Sequence, residues 1–377
     1  MANFLEGLRI EGSSTLSSSP SPTGWKLLKR STAVGSGGTQ TVDSGTFTAK
    51  DNLMILSHII NGNTGDGNNP QGAIKFNSST GNEYGQTFSR GAESGNGNIT
   101  QSTTNGSSAV AQIDIWNGLG SGTSAFTMTQ IGNISNFKKM LNFSSCYDRN
   151  GTTASTVPCR SEGSGAYSPS SLSTNITSVQ VTNVGDGDFD AGSEIVVLGV
   201  DNDDDGSSGT NFWEKLAWNG LSANNSGSPD YLCNELSFAK KKYLWIREHK
   251  LATGNTRSKY RFNGNSSNYA RRMNDWGTSG SASDNISSTS ASEAMLYGSG
   301  GSAEAISNTF VVNSDSYAKL CFTHIVEHNS DGANNTPRVW QMWWKWVNNA
   351  QVENLTIFND GTGNFGVGSE VTVWGAD

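Results

Sequence analysis

Three stretches bring together side chains whose types and spacing suit known chemistry. His324-Ile-Val-Glu-His328 has the spacing of inverted zinc peptidases. That chemistry needs a helix, which turns both histidines to one metal. Here Leu320, Phe322, His324, Val326 and His328 alternate with Cys321, Thr323, Ile325 and Glu327, which is the period of a strand. In a strand the two histidines stand roughly 13 Å apart at ~3.3 Å per residue, too far to share a zinc ion. Asp201-Asn-Asp-Asp-Asp-Gly206 opens like a calcium loop, but its twelfth position is Phe212 rather than a bidentate acid. Two readings follow: a looser calcium site through Asp201, Asp203 and Asp205, with Asp186, Asp188 or Asp190 as further ligands, or a solvated acidic linker. Asp204 alternates out of the ligand set and is expected in solvent. Val339–Val347 is the densest aromatic run, with Trp340, Met342, Trp344 and Trp346 on one face and Trp343 on the other. One face belongs to a core. Trp343 is then either a contact for a sugar or a second subunit, or further packing.

No other stretch selects a reaction. The order of Ser, His and Asp, the P-loop and the GxSxG turn are not found in a strand–turn–helix context, and no spacing singles out a carboxylate pair for glycoside hydrolysis. No catalytic residue is expected, and no cofactor beyond the calcium reading. The formal net charge of −8 and pI near 5.1 argue against nucleic acid as the main partner. No apolar run approaches the roughly 20 residues of a membrane-spanning helix. Met1–Ile10 has neither the basic region nor the apolar core of a secretory leader, so synthesis in a cytoplasm is expected. Cys146, Cys159, Cys233 and Cys321 follow no metal spacing, and reduced thiols suit that compartment better than a Cys146–Cys159 bridge. Lys240-Lys-Lys242 and Arg271-Arg272 read as solvated charges on strand edges.

The elements that must position these residues are strands. Short aromatic and β-branched runs lie between clusters of Gly, Ser, Asn and Asp, and 11 Trp, 15 Phe and 9 Tyr argue for packed cores. Leu53–Ile60 is apolar on both faces, like a buried central strand, whereas Asn61–Asn69 and Ser89–Ser108 read as surface loops. Asn183, Gly185, Gly187, Phe189, Gly192, Ser193, Glu194 and Gly199 recur as Asn359, Gly361, Gly363, Phe365, Gly368, Ser369, Glu370 and Gly375, always 176 residues on. Leu53 aligns with Leu244, His58 with His249, Tyr84 with Tyr269, and Leu141 and Phe143 with Leu320 and Phe322. Such a repeat is a tandem duplication with indels in loops.

The fold class expected is therefore all-β: two tandem duplicated, jelly-roll-like β-sandwich domains behind a short N-terminal arm. The boundaries read as 1–24 arm and linker, 25–200 first domain, 201–210 acidic linker and 211–377 second domain. The repeated stretch reads as the closing β-hairpin of each domain. In the arm, Phe4, Leu5, Leu8 and Ile10 form an apolar tip on a Ser/Pro/Gly tether, either an assembly arm that docks on a neighbour or a frayed terminus.

The doubled ending, Phe189 to Gly199 and Phe365 to Gly375, resembles the closing hairpin of structural proteins of tailed phages, especially marine ones, where it runs N-F-x-x-G-S-x-x-x-L-Y-G. Leu198 and Trp374 stand at the position of the usual Tyr. The resemblance covers about 25 residues per copy. It implies a non-enzymatic β-sandwich protein located in the virion, as a capsid or tail component such as a decoration protein or a tandem jelly-roll shell subunit. Its partners would be copies of itself and other virion proteins. The other open class is a receptor-binding fibre or adhesin module for a host-surface glycan.

Overall fold

The computed structural model describes residues 24–33, 39–61, 69–91, 99–103, 110–149, 153–204, 210–225, 227, 230–276, 282–295, 304–328 and 338–377. Among these there is no helix; the regular elements are strands in antiparallel sheets. No helix of the described residues is long and apolar enough to cross a membrane. The chain forms two compact units, and the main division falls between Glu214 and Lys215.

The first unit contains β1 (Lys26–Thr32), β2 (Thr41–Asp43), β3 (Asn52–Asn61), β4 (Gly72–Phe76), β5 (Tyr84–Gly91), β6 (Ile99–Thr103), β7 (Ile113–Trp116), β8 (Thr123–Gly132), β9 (Lys139–Tyr147), β10 (Cys159–Tyr167), β11 (Val179–Asn183) and β12 (Glu194–Val200). Eight strands form one sheet in the order β1-β12-β3-β8-β9-β10-β5-β6, and four form another, β2-β11-β4-β7. β3 lies between β12 and β8, and from Leu53 to Asn61 every side chain is buried, as its two-faced apolar sequence requires. Leu53, Ile55, Ile131 and Leu141 of the larger sheet and Ile74, Phe76, Val179 and Val181 of the smaller are all buried.

The second unit contains β13 (Glu214–Gly220), β14 (Tyr231–Ser237), β15 (Tyr243–Lys250), β16 (Ser258–Phe262), β17 (Tyr269–Trp276), β18 (Ala282–Ala291), β19 (Ala294–Met295), β20 (Glu304–Val312), β21 (Lys319–His328), β22 (Arg338–Trp346), β23 (Asn354–Asn359) and β24 (Glu370–Ala376). Its sheets run β13-β24-β15-β20-β21-β22-β17-β18 and β14-β23-β16-β19, so each strand has a counterpart twelve places earlier. One apolar cluster joins Leu244, Ile246, Val311 and Trp344 of the larger sheet to Tyr260, Phe262, Leu355 and Ile357 of the smaller. Two stacked antiparallel sheets about such a core are consistent with the β-sandwich class.

The correspondence extends to individual hydrogen bonds. Tyr84 Oη accepts the Phe76 amide at 2.9 Å, and Tyr269 Oη the Phe262 amide at 2.7 Å. Asn77 and Asn263 both take positive φ, 53° and 51°, and each uses its side-chain carbonyl to accept two backbone amides, from Thr177 and Ser178 or from Glu353 and Asn354. Asn133 Oδ1 accepts the Ile176 amide, and Asn313 Oδ1 the Val352 amide, each at 2.7 Å. Asparagine suits all four sites because its short side chain satisfies buried amides, and at Asn77 and Asn263 it also tolerates the left-handed backbone.

Several expectations change. β11 and β12 do not form a hairpin: β11 pairs with β2 and β4, and β12 with β1 and β3. The repeated stretch therefore crosses from one sheet to the other. Strand pairing places Leu141 on the core row with Leu53 and Ile131, and its counterpart in the row of Leu244 and Val311 is Cys321. The true offset there is 180, so the alignment of Leu141 with Leu320 is one residue off, which inverts the faces. Part of the expected loop Ser89–Ser108 is strand, as is the Gly- and Ser-rich β10. In β10 a Cβ on Gly163 would stand 2.5 Å from Thr87 O and 2.7 Å from Phe88 Cβ, so glycine there admits a close strand approach. Arg271 and Arg272 are buried, because β17 lies between β22 and β18 rather than at an edge.

Candidate functional site

The repeated crossover is built around its asparagine. Asn359 Oδ1 accepts the amides of Gly361 at 2.7 Å and Arg257 at 2.8 Å, while its Nδ2 donates to Gly363 O. Asn183 does the same with Gly185 at 2.9 Å, Gln71 at 3.0 Å and Gly187 O at 2.5 Å. A Cβ at Gly361 would lie 1.9 Å from Asn255 O, and one at Gly185 would lie 2.4 Å from Asn69 O. The chain turns so close to its neighbour that only glycine fits. Phe189 and Phe365 then enter the core, fully buried. Gly192 and Gly368 hold φ of 87° and 89°, which turns Ser193 and Ser369 inward. The two serine hydroxyls accept the amides of Ile60 and Leu251, each at 2.9 Å. Each described motif position has a packing or hydrogen-bonding task, and the paired glycine amides face asparagine rather than an open cradle.

Two side chains of the acidic stretch are committed to the first unit. Asp201 accepts from Lys50 Nζ at 2.5 Å and from the Asp51 amide at 3.1 Å. The Lys50 pKa is raised, chiefly by this hydrogen bond, which outweighs the opposing cost of burial; the charges of Asp201, Asp204 and Asp203 add smaller contributions in the same direction. Asp377, one repeat later, makes the same contacts with Lys241 Nζ (2.9 Å) and the Lys242 amide (3.2 Å). Asp204, expected in solvent, is instead largely buried and accepts from Lys26 Nζ at 2.6 Å. Asp201 thus acts as a strand-end cap, its two carboxylate oxygens taken by Lys50 Nζ and the Asp51 amide. Among the described residues no three metal-ligating side chains converge; Asp205 lies outside them. Phe4, Leu5, Leu8 and Ile10 of the arm also lie outside the described residues.

His324 and His328 both lie on β21, in the extended conformation their alternation predicts. His324 is paired in register with Gln341 and Asn308 and sits 6.1 Å from the Phe322 ring; burial lowers its pKa. Trp340, Met342, Trp344 and Trp346 face the core, as expected. Trp343 does not reach solvent. It is fully buried and stands in a row of register partners, Trp374, Trp245, Phe310, Phe322 and Trp343, on the opposite face of the larger sheet. Trp245 is 5.2 Å from both Trp374 and Phe310, and Phe310 is 5.4 Å from Phe322. Trp343 therefore continues an aromatic ladder and offers no face to a soluble sugar. All four cysteines are buried and unbridged.

One charged cluster escapes sequence reasoning. Glu248 is buried; it accepts from Ser258 Oγ at 2.5 Å and Tyr260 Oη at 2.9 Å. Lys250 is buried and donates to Thr256 O at 3.1 Å. Glu327, also buried, accepts from Trp340 Nε1 at 2.9 Å, with Arg338 Nη1 at 3.8 Å. Burial raises the Glu248 pKa and lowers that of Lys250. At the matching positions the first unit has Ser57, Ile59 and Tyr147, with Trp116 packed where a Cβ on Gly72 would come within 2.2 Å. The one signal in sequence is that Glu248 and Lys250 share the inward parity of Leu244 and Ile246. No family model, no curated protein and no solved structure matches this chain.

Proposed function

We propose that this chain is a non-enzymatic structural protein of a virus particle, built from two tandem duplicated jelly rolls and associating with copies of itself and other virion proteins. The observation that carries the reading is the crossover present in both units. Its sequence resembles the closing segment of tailed-phage structural proteins, and its side chains are consumed in holding two sheets together. Strand pairing supports the jelly-roll part. In the first unit the pairs nest as β1–β12, β2–β11, β3–β8 and β4–β7, the pattern of a long hairpin rolled into two sheets, with β9, β10, β5 and β6 extending the larger sheet. The second unit repeats it as β13–β24, β14–β23, β15–β20 and β16–β19. Matched hydrogen bonds at Asn133 and Asn313, and at Asp201 and Asp377, support descent from one ancestral domain.

The reading is tested by mass spectrometry and imaging of purified particles. Several hundred copies per particle would support a shell or decoration role. Absence from particles, or hydrolysis of a host polysaccharide by the purified chain, would overturn it. The glycan-binding alternative loses its stacking residue through the burial of Trp343.

A further inference from the structure

Ile134, Phe137, Met140 and Leu172 are 43%, 66%, 58% and 38% exposed, and all lie at or beside the β8–β9 turn. Three of them are carried on backbone gathered around one cation. Lys139, itself buried, donates to Ile134 O at 2.7 Å, Phe137 O at 3.0 Å and Leu172 O at 3.2 Å. The Asn136 amide donates to Leu172 O at 2.9 Å, and Ser135 Oγ to Ser173 O at 3.3 Å. The second unit uses the same device: Lys319 Nζ donates to Tyr317 O at 3.1 Å and Asn348 O at 2.6 Å. There the four positions are Ser314, Tyr317, Leu320 and Asn348, and Leu320 is fully buried. The scaffold therefore does not require apolar exposure. A pinned set of exposed apolar side chains, present in one copy of a device and not the other, marks a contact surface.

The chain carries a matching occupant. Phe4, Leu5, Leu8 and Ile10 crowd four large apolar side chains into seven residues, followed by the tether Glu11–Thr23. Lys26, Gly199, Leu53, Ile131 and Leu141 form one register row across β1, β12, β3, β8 and β9. β1 therefore starts at the end of the sheet where the β8–β9 turn stands. Four strand spacings separate β1 from β9, roughly 19 Å. For thirteen residues, random-coil statistics give an average span of about 20 Å, and full extension gives about 40 Å. Matching span and reach gives the highest local concentration. We infer that the segment Phe4–Ile10 seats its apolar side chains on the surface formed by Ile134, Phe137, Met140 and Leu172. This contact stands independently of the virion reading, since it is measured on the isolated chain.

The test uses the full-length chain. Phe137→Ser with Leu172→Asn gives the first unit's surface polar residues at two exposed positions, so the fold is retained and circular dichroism is unchanged. Hydrogen exchange of residues 4–10 is expected to be at least tenfold faster in this variant than in the parent, and equal rates would overturn the inference. A second arm joins Leu8→Cys to Phe137→Cys with a short bismaleimide; the four native thiols are buried. A cross-link within one chain places the segment on its own copy, and one between chains places it on a neighbour; both support the inference. Failure of both cross-links overturns it, whether or not the chain is found in particles.

Discussion

Asp230 Oδ2 accepts the Phe365 amide at 2.8 Å and lies 3.4 Å from Asn359 Nδ2, so a buried carboxylate locks the crossover of the second unit. In the first unit Gln40 takes this place, its Nε2 donating to Gly187 O at 2.9 Å. The charge has a consequence for pH. Burial, partly offset by the hydrogen bonds from Phe365 and Asn359, raises the Asp230 pKa. Its favourable contribution is therefore complete below the ordinary Asp range and fades as pH rises through the folded-state pKa. Asp230→Asn is expected to remove this part of the pH dependence while keeping an acceptor for Phe365. Denaturant unfolding of parent and variant between pH 3 and 7 measures it; parallel curves would refute the assignment.

Lys319 makes the opposite prediction. Burial beside Trp346, whose ring centre is 5.9 Å from its ammonium, lowers its pKa from 10.5 to about 8. Below pH 8 both folded and unfolded chains carry the proton, and the folded state bears the cost of burying it. Between about 8 and 10.5 the unfolded chain holds more protons, so stability rises with pH, by up to ~1.4 kcal/mol per unit. The difference in unfolding free energy between the parent and Lys319→Met should change across this window and stay flat from pH 6 to 7.

Much of this architecture was legible because side chains with tasks of their own recur at a constant spacing. Asn183, Gly185, Phe189 and Ser193 are each tied to a backbone geometry, so the repeat at Asn359 carried the fold with it. What stayed hidden was pairing between sheets. Two strands joined by a short Gly-rich stretch read alike whether they pair with each other or cross, and β11 and β12 cross. Alternation around Trp343 revealed two faces but not that both are buried. The inward charges Glu248 and Lys250 were masked for a simpler reason: hydrogen bonds from Ser258, Tyr260 and to Thr256, distant in no obvious pattern, make their burial tolerable.

The glycines of the crossover give a direct test of its geometry. A Cβ at Gly361 meets Asn255 O at 1.9 Å, a backbone atom that cannot swing aside. Gly361→Ala is expected to lose about 2–4 kcal/mol of stability. Gly85, in β5, has nothing within 4 Å of the added atom and an ordinary φ. Gly85→Ala should therefore be neutral or stabilise by up to about 1 kcal/mol through the unfolded chain. Equal effects in thermal denaturation would show that the close approach is not maintained in solution.

Calcium offers a sharper discrimination between the two readings of the acidic stretch. Lys50 and the Asp51 amide occupy both oxygens of Asp201, and Lys26 holds Asp204. A calcium ion would have to displace Lys50 to use Asp201, exchanging one cation for another at the cost of the amide alignment. Titration calorimetry with calcium chloride at millimolar concentration is expected to give no saturable heat, and the melting temperature should match that in magnesium. Lys50→Ala frees Asp201 and gives the control: it should destabilise the first unit by about 0.2–1 kcal/mol, the usual range for a partly exposed ion pair. Saturable calcium binding by the parent chain, abolished by Asp201→Asn, would restore the metal site and make the lysine contact its resting state.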